Sequence, residues 1–203
     1  DAIIQMRPYA QKLQEMLSNI VSASEAGAEM ALAAERPAEK VLLIVISSDR
    51  GLAGAFNANV VKLTKSTIAE KYADQAKNGN VTIWNIGKKA YENLTKLNFK
   101  TDATFKDIFL QLSFEKVQEA AAAARQAFLN KEFDAVEIIY SQFKNAATQR
   151  FVAERYLPIP RAEKKEGSTQ ADFIFDPEKN TLVAELMPRI LNTQLYKAVL
   201  DSN

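Results

Sequence analysis

The chain has no cysteine and no histidine. Without cysteine there are no disulfides, no thiol nucleophile and no thiolate metal site. Without histidine the side chain most used for proton transfer near neutral pH is missing, and with it the commonest metal ligand. No apolar run is long enough to span a bilayer. Neither sign of charge dominates: 26 basic and 25 acidic side chains leave a formal charge of +1. That balance argues against a nucleic-acid binder driven by electrostatics. The start, Asp1-Ala-Ile-Ile-Gln-Met-Arg7, lacks an initiator methionine and does not read as a signal peptide. The end stops inside a helical pattern without a glycine cap, so the sequence reads as an interior piece of a longer protein.

The chain is otherwise ordinary. Its 203 residues are 47% apolar, enough for one cored domain with an appendage. The most informative stretch is a solid apolar run, Val41-Leu-Leu-Ile-Val-Ile46, that enters Ser47-Ser-Asp-Arg-Gly-Leu-Ala-Gly54. An amphipathic segment follows from about Phe56. That is a buried strand, a tight glycine turn and a helix, the opening unit of a parallel α/β domain.

Upstream, residues 1–36 read as one helix. Met6, Leu13 and Ile20 fall seven apart, as do Tyr9, Met16, Ala23 and Met30 at an offset of three, which makes an a/d seam. A plain amphipathic helix packed on a domain remains the alternative. Downstream, helices are expected over 56–76, 88–97 and 114–130, the last capped by Ser113. Strands are expected at 81–86, weakly at 99–105, and at 135–140. Residues 149–157 mix polar and apolar side chains in rough alternation, as an antiparallel strand with one wet face would. Residues 159–171 read as an exposed charged loop, and Asp172-Phe-Ile-Phe-Asp-Pro177 as a short edge strand stopped by its proline. Residues 181–203 are helical, with Pro188 implying a kink or a start.

The expected fold is therefore α/β: a mostly parallel sheet with helices on both faces and an antiparallel edge, plus a projecting antiparallel helical coiled-coil arm. The arm would pair an N-terminal helix, 1–36, with a C-terminal one, 181–203, around a globular domain at 37–180. Residues 9–30 would then face residues 186–200.

The glycine turn invites a phosphate-binding reading, and its residues do not support one. A P-loop needs a lysine and a hydroxyl residue directly after its last glycine, and here Gly54 precedes Ala55-Phe56. The dinucleotide fingerprint needs three glycines at fixed spacing, and only Gly51 and Gly54 are present. Ser47 and Ser48 have no histidine base to activate them. Turn and capping roles suit Ser47, Ser48 and Asp49 better. Lys88-Lys89 and Lys164-Lys165 are pairs rather than clusters and read as solvated surface. Phe173 and Phe175 share one face of their strand, as core or as a partner surface.

Ser48-Asp-Arg-Gly-Leu-Ala-Gly-Ala-Phe-Asn57 closely resembles the signature turn of the gamma subunit of F-type ATP synthase. Arg7-Pro-Tyr-Ala10 is similar to the end of that family's first long helix. Tyr140-Ser-Gln-Phe-Lys-Asn-Ala146 is similar to one of its strand ends. Asp172–Pro177, Glu185-Leu-Met-Pro-Arg189 and Gln194-Leu-Tyr196 match its C-terminal hallmarks in order. The chain departs from the family in having Ala53 where cysteine is frequent. It also lacks the family's basic N-terminal start and the rest of its long C-terminal helix.

The resemblance implies a non-catalytic rotor shaft that couples ion-driven rotation of a membrane c ring to ATP synthesis or hydrolysis in a ring of alpha and beta subunits. It implies a domain lying against the epsilon subunit and the c ring, and no cofactor, metal or nucleic acid. Membrane contact would come only through the c ring, on the cytoplasmic face of a bacterial inner membrane. By residue match, Arg50, Leu52 and Ala53 would face the moving levers of beta. Phe173, Phe175 and Asp176 would lie at the foot, near the c ring. The competing reading is a nucleotide-binding α/β enzyme or sensor that uses the Ser47–Gly54 turn.

Overall fold

A computed structural model describes residues 28–49, 54–145, 148–160 and 177–202, with Lys12 and Glu15 as isolated positions. Its centre is strand β1 (Val41–Ile46), every residue of which is buried. A strand of six aliphatic residues can bury both faces only when layers cover both sides, and parallel sheets provide that. β1 pairs in parallel with β2 (Val81–Ile86) on one side and with β4 (Ala135–Asn145) on the other. β3 (Thr101–Asp102) extends the sheet beyond β2, also in parallel. β5 (Thr148–Leu157) closes the other edge, antiparallel to β4. The order is β3-β2-β1-β4-β5, the mostly parallel sheet with an antiparallel edge that the sequence pattern implied.

Alternation along β1 divides the core in two. Val41, Leu43 and Val45 meet Val60, Val61 and Ile68 of α1 (Gly54–Lys71) and Ala90 and Leu94 of α3 (Lys88–Lys96). The short α2 (Ala73–Lys77) follows α1 after a break at Tyr72. Leu42, Ile44 and Ile46 face the other layer, α4 (Phe114–Leu129) and α5 (Pro177–Ser202). The alanines of α4 at 120, 121 and 124 are buried and keep that helix close to its neighbours. Ser113 caps it, its hydroxyl accepting from the Lys116 amide.

The C-terminal helix corrects one expectation. It forms as foreseen, but from Met187 onward it lies on the domain instead of projecting from it. Met187, Ile190, Leu191, Leu195, Ala198 and Val199 are each at most 3% exposed and belong to the main core. An apolar stripe that wide finds more area against α4 and β4 than a narrow coiled-coil seam offers. Tyr156 of β5 adds a polar tie by donating its hydroxyl to the Leu191 carbonyl at 2.7 Å. Burial pushes that phenol well up, so it stays protonated and donating. Arg125 of α4 donates to the Asn192 side chain and to the Pro188 carbonyl. Pro188 neither starts nor ends the helix, which runs through it.

The expected single helix over 1–36 is also corrected where it is described. Ala28–Ala33 is a 3-10 helix, and residues 34–38 are not helical. Leu32 and Ala33 turn into the core, and the Leu32 carbonyl accepts from the Ile159 amide at 2.8 Å. Pro37 disfavours helical geometry at Arg36 and frees the chain to turn. The heptad seam lies almost wholly outside the described residues, as does the pairing of 9–30 with the C-terminal helix. The third strand shrinks from 99–105 to Thr101–Asp102. The helix expected over 88–97 ends at Lys96, and Leu97 just beyond it is 48% exposed.

Candidate functional site

The turn after β1 holds together two elements distant in sequence. Ser47 donates its amide to the Ile86 carbonyl at 2.8 Å, which prolongs the β1–β2 pairing. Its hydroxyl accepts from the Ala90 amide at 3.0 Å. The Ser48 carbonyl accepts from the Lys89 amide at 3.3 Å. The Asp49 carboxylate accepts from the Lys88 amide at 2.8 Å. Asn57, buried in the first turns of α1, accepts the Ser48 amide at 3.0 Å. Three successive N–H groups at the start of α3 are thus satisfied by three successive residues of the turn.

That arrangement closes the start of α3 to a phosphate. Helix N-termini bind phosphate because their first N–H groups lack partners, and those of α3 already have them. Gly87, which opens α3, takes φ 103° and lies directly against the Ser47 carbonyl. The capping role read from Ser47, Ser48 and Asp49 is therefore what the geometry shows, although the helix they cap is α3 and not the one that follows them in sequence. Asp49→Ala is expected to lower stability by about 1 kcal/mol, the usual worth of such a cap. Urea unfolding of the purified chain, read as a midpoint shift at constant slope, checks this. The named candidates Arg50, Leu52 and Ala53, and Phe173, Phe175 and Asp176, lie outside the described residues.

A second polar site, at the opposite end of the sheet, was not foreseen. It lines a cavity of about 230 Å³ between the 34–38 segment, the end of α1, β4 and β5. Arg36 donates to the Asp134 carboxylate at 2.8 Å and to the Phe128 and Phe133 carbonyls at 2.8 and 2.6 Å. Its guanidinium also lies 4.2 Å from the centre of the Phe128 ring. The other Asp134 oxygen accepts from the Glu39 and Lys40 amides. Burial raises the Asp134 pKa, but the Arg36 hydrogen bond and charge and the two amides outweigh it, and the net direction is down. Nearby, buried Glu137 takes Lys71 at 3.1 Å and the Tyr72 hydroxyl. Arg155 reaches Glu35 at 3.0 Å. Three cations meet three carboxylates, so the cluster balances itself and calls for no ligand. Glu137 inside the apolar run Ala135-Val-Glu-Ile-Ile139 was the available signal. Among the described residues, no group of three acidic, histidine or cysteine side chains is placed to hold a metal ion.

The fold and the turn together define an α/β body whose glycine turn joins elements and leaves the α3 N-terminus no free donors for a nucleotide phosphate. The comparisons with known proteins say which body it is. A family model described as ATP synthase matches residues 1–203. The ATP synthase gamma chain of Cytophaga hutchinsonii is 41% identical over 206 residues, covering 100% of this chain and 70% of that one. The ATP synthase gamma chain of Flavobacterium johnsoniae is 42% identical over 202 residues, covering 100% and 68%. Among solved structures, the fold matches a chain of the Tetrahymena thermophila mitochondrial ATP synthase central stalk and c-ring with a TM-score of 0.54 at 17% identity, covering 100% of this chain and 92% of that one. A chain of the Euglena gracilis mitochondrial ATP synthase matches at 0.51 and 18%, covering 99% and 75%.

The chain belongs to the ATP synthase gamma-chain family. As such it is a central-stalk subunit of an F-type ATP synthase, a rotor component that brings no catalytic site of its own. It is a peripheral part of a membrane complex. Among the described residues no helix is long and apolar enough to cross a membrane.

Proposed function

We propose that this chain is the body and foot of the rotor, and that it transmits torque as a stiff block. The observation that carries this reading is the seating of α5: six apolar side chains between Met187 and Val199 are buried against the sheet layer. A shaft helix fixed along that length turns when the domain turns.

In the full assembly, the segment ahead of Ala28 and α5 supply the two shaft helices, and the rest of the chain is the globular part. The shaft turns inside the ring of alpha and beta subunits, while the domain contacts epsilon and the c ring. Arg50, Leu52 and Ala53 face the levers of beta. Phe173, Phe175 and Asp176 face the c ring. The complex sits on the cytoplasmic face of a bacterial inner membrane, a placement supported by the bacterial sources of its curated relatives.

Two measurements test this reading. Titration of ATP into the purified chain should give no binding at micromolar concentration. Micromolar binding that Asp49→Ala abolishes would favour the nucleotide-sensor reading instead. In the assembled enzyme, Arg50→Ala should leave the fold intact and lower coupled turnover, more at low salt than at high. A domain that melts markedly earlier, with turnover unchanged, would make Arg50 a structural cap.

A further inference from the structure

Two stretches far apart in sequence meet the domain at one edge of the sheet, where β4 begins and β5 ends. One is residues 32–38, which lead from the 3-10 helix toward β1. The other is the part of α5 where its burial begins, from Met187 to Asn192. Leu32 and Ala33 share a core cluster with Met187 and Leu191. Residues 32–38 are also fastened by polar contacts to three different elements. The Leu32 carbonyl accepts from the Ile159 amide at 2.8 Å, just beyond β5. Arg36 reaches Asp134 and the end of α4. The Ala38 carbonyl accepts from the Gln75 side chain of α2 at 2.7 Å.

The same two elements hold both stretches. Arg125 and Phe128 lie three apart on α4, hence within one turn. Phe128 offers its carbonyl and its ring to Arg36, while Arg125 donates to the Pro188 carbonyl and the Asn192 side chain of α5. The end of β5 repeats the pattern. Tyr156 donates to the Leu191 carbonyl of α5, and Ile159 to the Leu32 carbonyl. Arg125 is the telling member. It is half-buried, yet forms no ion pair among the described residues. Withdrawing a charge from water without an anion is costly, and an apolar side chain would fill such a place more cheaply. What a guanidinium adds is a rigid fork of donors that fixes the position of what it binds.

We propose that the last turns of α4 and the end of β5 form a collar that clamps both shaft segments to the body, with Arg36 and Arg125 as its positioning residues. Arg36 holds the chain that descends from the segment ahead of Ala28, and Arg125 holds α5. Apolar burial keeps the two segments in place at rest but resists sliding poorly, because it has no direction. Forked hydrogen bonds to fixed carbonyls are directional and resist it. The collar therefore matters most when the shaft is twisted against a load. The inference rests on the reading of this chain as a rotor body and names where torque passes between body and shaft.

The test is ATP-driven ion pumping by the purified ATP synthase in sealed lipid vesicles. A potential-sensitive dye reads the steady membrane potential, and hydrolysis is measured on the same preparation. Arg36→Gln and Arg125→Gln should each lower the potential sustained at saturating ATP at least twofold, while hydrolysis continues. Leu94→Ala, a cavity in the other core layer, should lower the melting temperature of the chain without that loss. The chain has no cysteine of its own, so a Leu32→Cys/Ile159→Cys disulfide can replace the Arg36 clamp. It should restore the potential in Arg36→Gln and lose the effect on reduction. Wild-type enzyme that hydrolyses ATP but builds no potential would overturn the rotor reading itself. With wild type pumping, three results would overturn the inference alone: full potential in both arginine variants, an equal loss in Leu94→Ala, or a disulfide that restores nothing. An arginine variant that no longer assembles with alpha and beta would assign that arginine to folding and count against the collar.

Discussion

Gly87→Ala is expected to cost about 4 kcal/mol or more, which places it among the largest single-residue effects a domain shows. Two independent reasons combine at this residue. Its φ of 103° with ψ 144° lies in a region that is nearly reserved for glycine. A Cβ at this position would stand 2.3 Å from the Ser47 carbonyl oxygen and 2.8 Å from the Ser47 hydroxyl oxygen. Neither neighbour can give way. The Ser47 amide is held in the sheet by Ile86, and its hydroxyl accepts from Ala90 at the start of α3. Relief would require α3 to move away from the turn, which would strip partners from Lys88, Lys89 and Ala90 together. Gly79→Ala is the internal control. Gly79 also has positive φ, at 74°, but a Cβ there would meet nothing within 4 Å. It should lose only the conformational part, about 1 kcal/mol. Urea unfolding of both variants, compared at unchanged slope, gives the steric contribution as the difference.

The second large effect is expected at Asp134. Its carboxylate is 11% exposed and holds the Arg36 guanidinium and two backbone amides. Arg36 in turn covers the Phe128 carbonyl at the end of α4 and the Phe133 carbonyl in the connection to β4. Asp134→Ala removes one partner and leaves the guanidinium and the Glu39 and Lys40 amides short of an acceptor. Breaking a buried pair this way costs about 3 kcal/mol, and the partial exposure of Arg36 keeps the loss near that lower end. Arg36→Lys should not restore it, since one ammonium cannot serve a carboxylate and two carbonyls in a fixed fork. The double variant Arg36→Ala/Asp134→Ala should lose less than the sum of the singles.

The pH dependence has a definite sign. The folded Asp134 carboxyl titrates below its unfolded range. Its contribution is therefore complete above the unfolded carboxylate pKa of about 4 and falls away as pH drops through the folded value. Wild type and Asp134→Asn should differ most at neutral pH and converge in acid.

The sheet was legible because its strands carry their own signal. Six aliphatic residues in a row at 41–46 need cover on both faces, and the alternation at 149–157 needs it on one. The glycine turn was legible by elimination, since Ala55-Phe56 stands where a phosphate site needs lysine and a hydroxyl. What it could not reveal was its partner. That Ser47, Ser48 and Asp49 cap α3 depends on β1 and β2 ending side by side, a tertiary fact with no local trace. The charged cluster around Arg36 and Asp134 was invisible for the same reason, its members lying almost a hundred residues apart. Periodicity also overstated the arms. A stripe such as Leu186 to Val199 looks alike whether it faces a second helix or a sheet, and only packing decides between them. Membership of the gamma-chain family, by contrast, was carried by short blocks in a fixed order, which survive where packing cannot be read.

The central claim is that this chain is a rotor body and not a nucleotide enzyme. The most direct measurement is rotation of the assembled synthase with alpha and beta anchored to a surface. The chain contains no cysteine, so Glu119→Cys on the exposed side of α4 offers a unique attachment point for a bead on this chain. The account predicts that ATP drives continuous rotation of that bead in one direction, at a rate that follows hydrolysis by the anchored subunits. Hydrolysis at the normal rate with the bead stationary would contradict it.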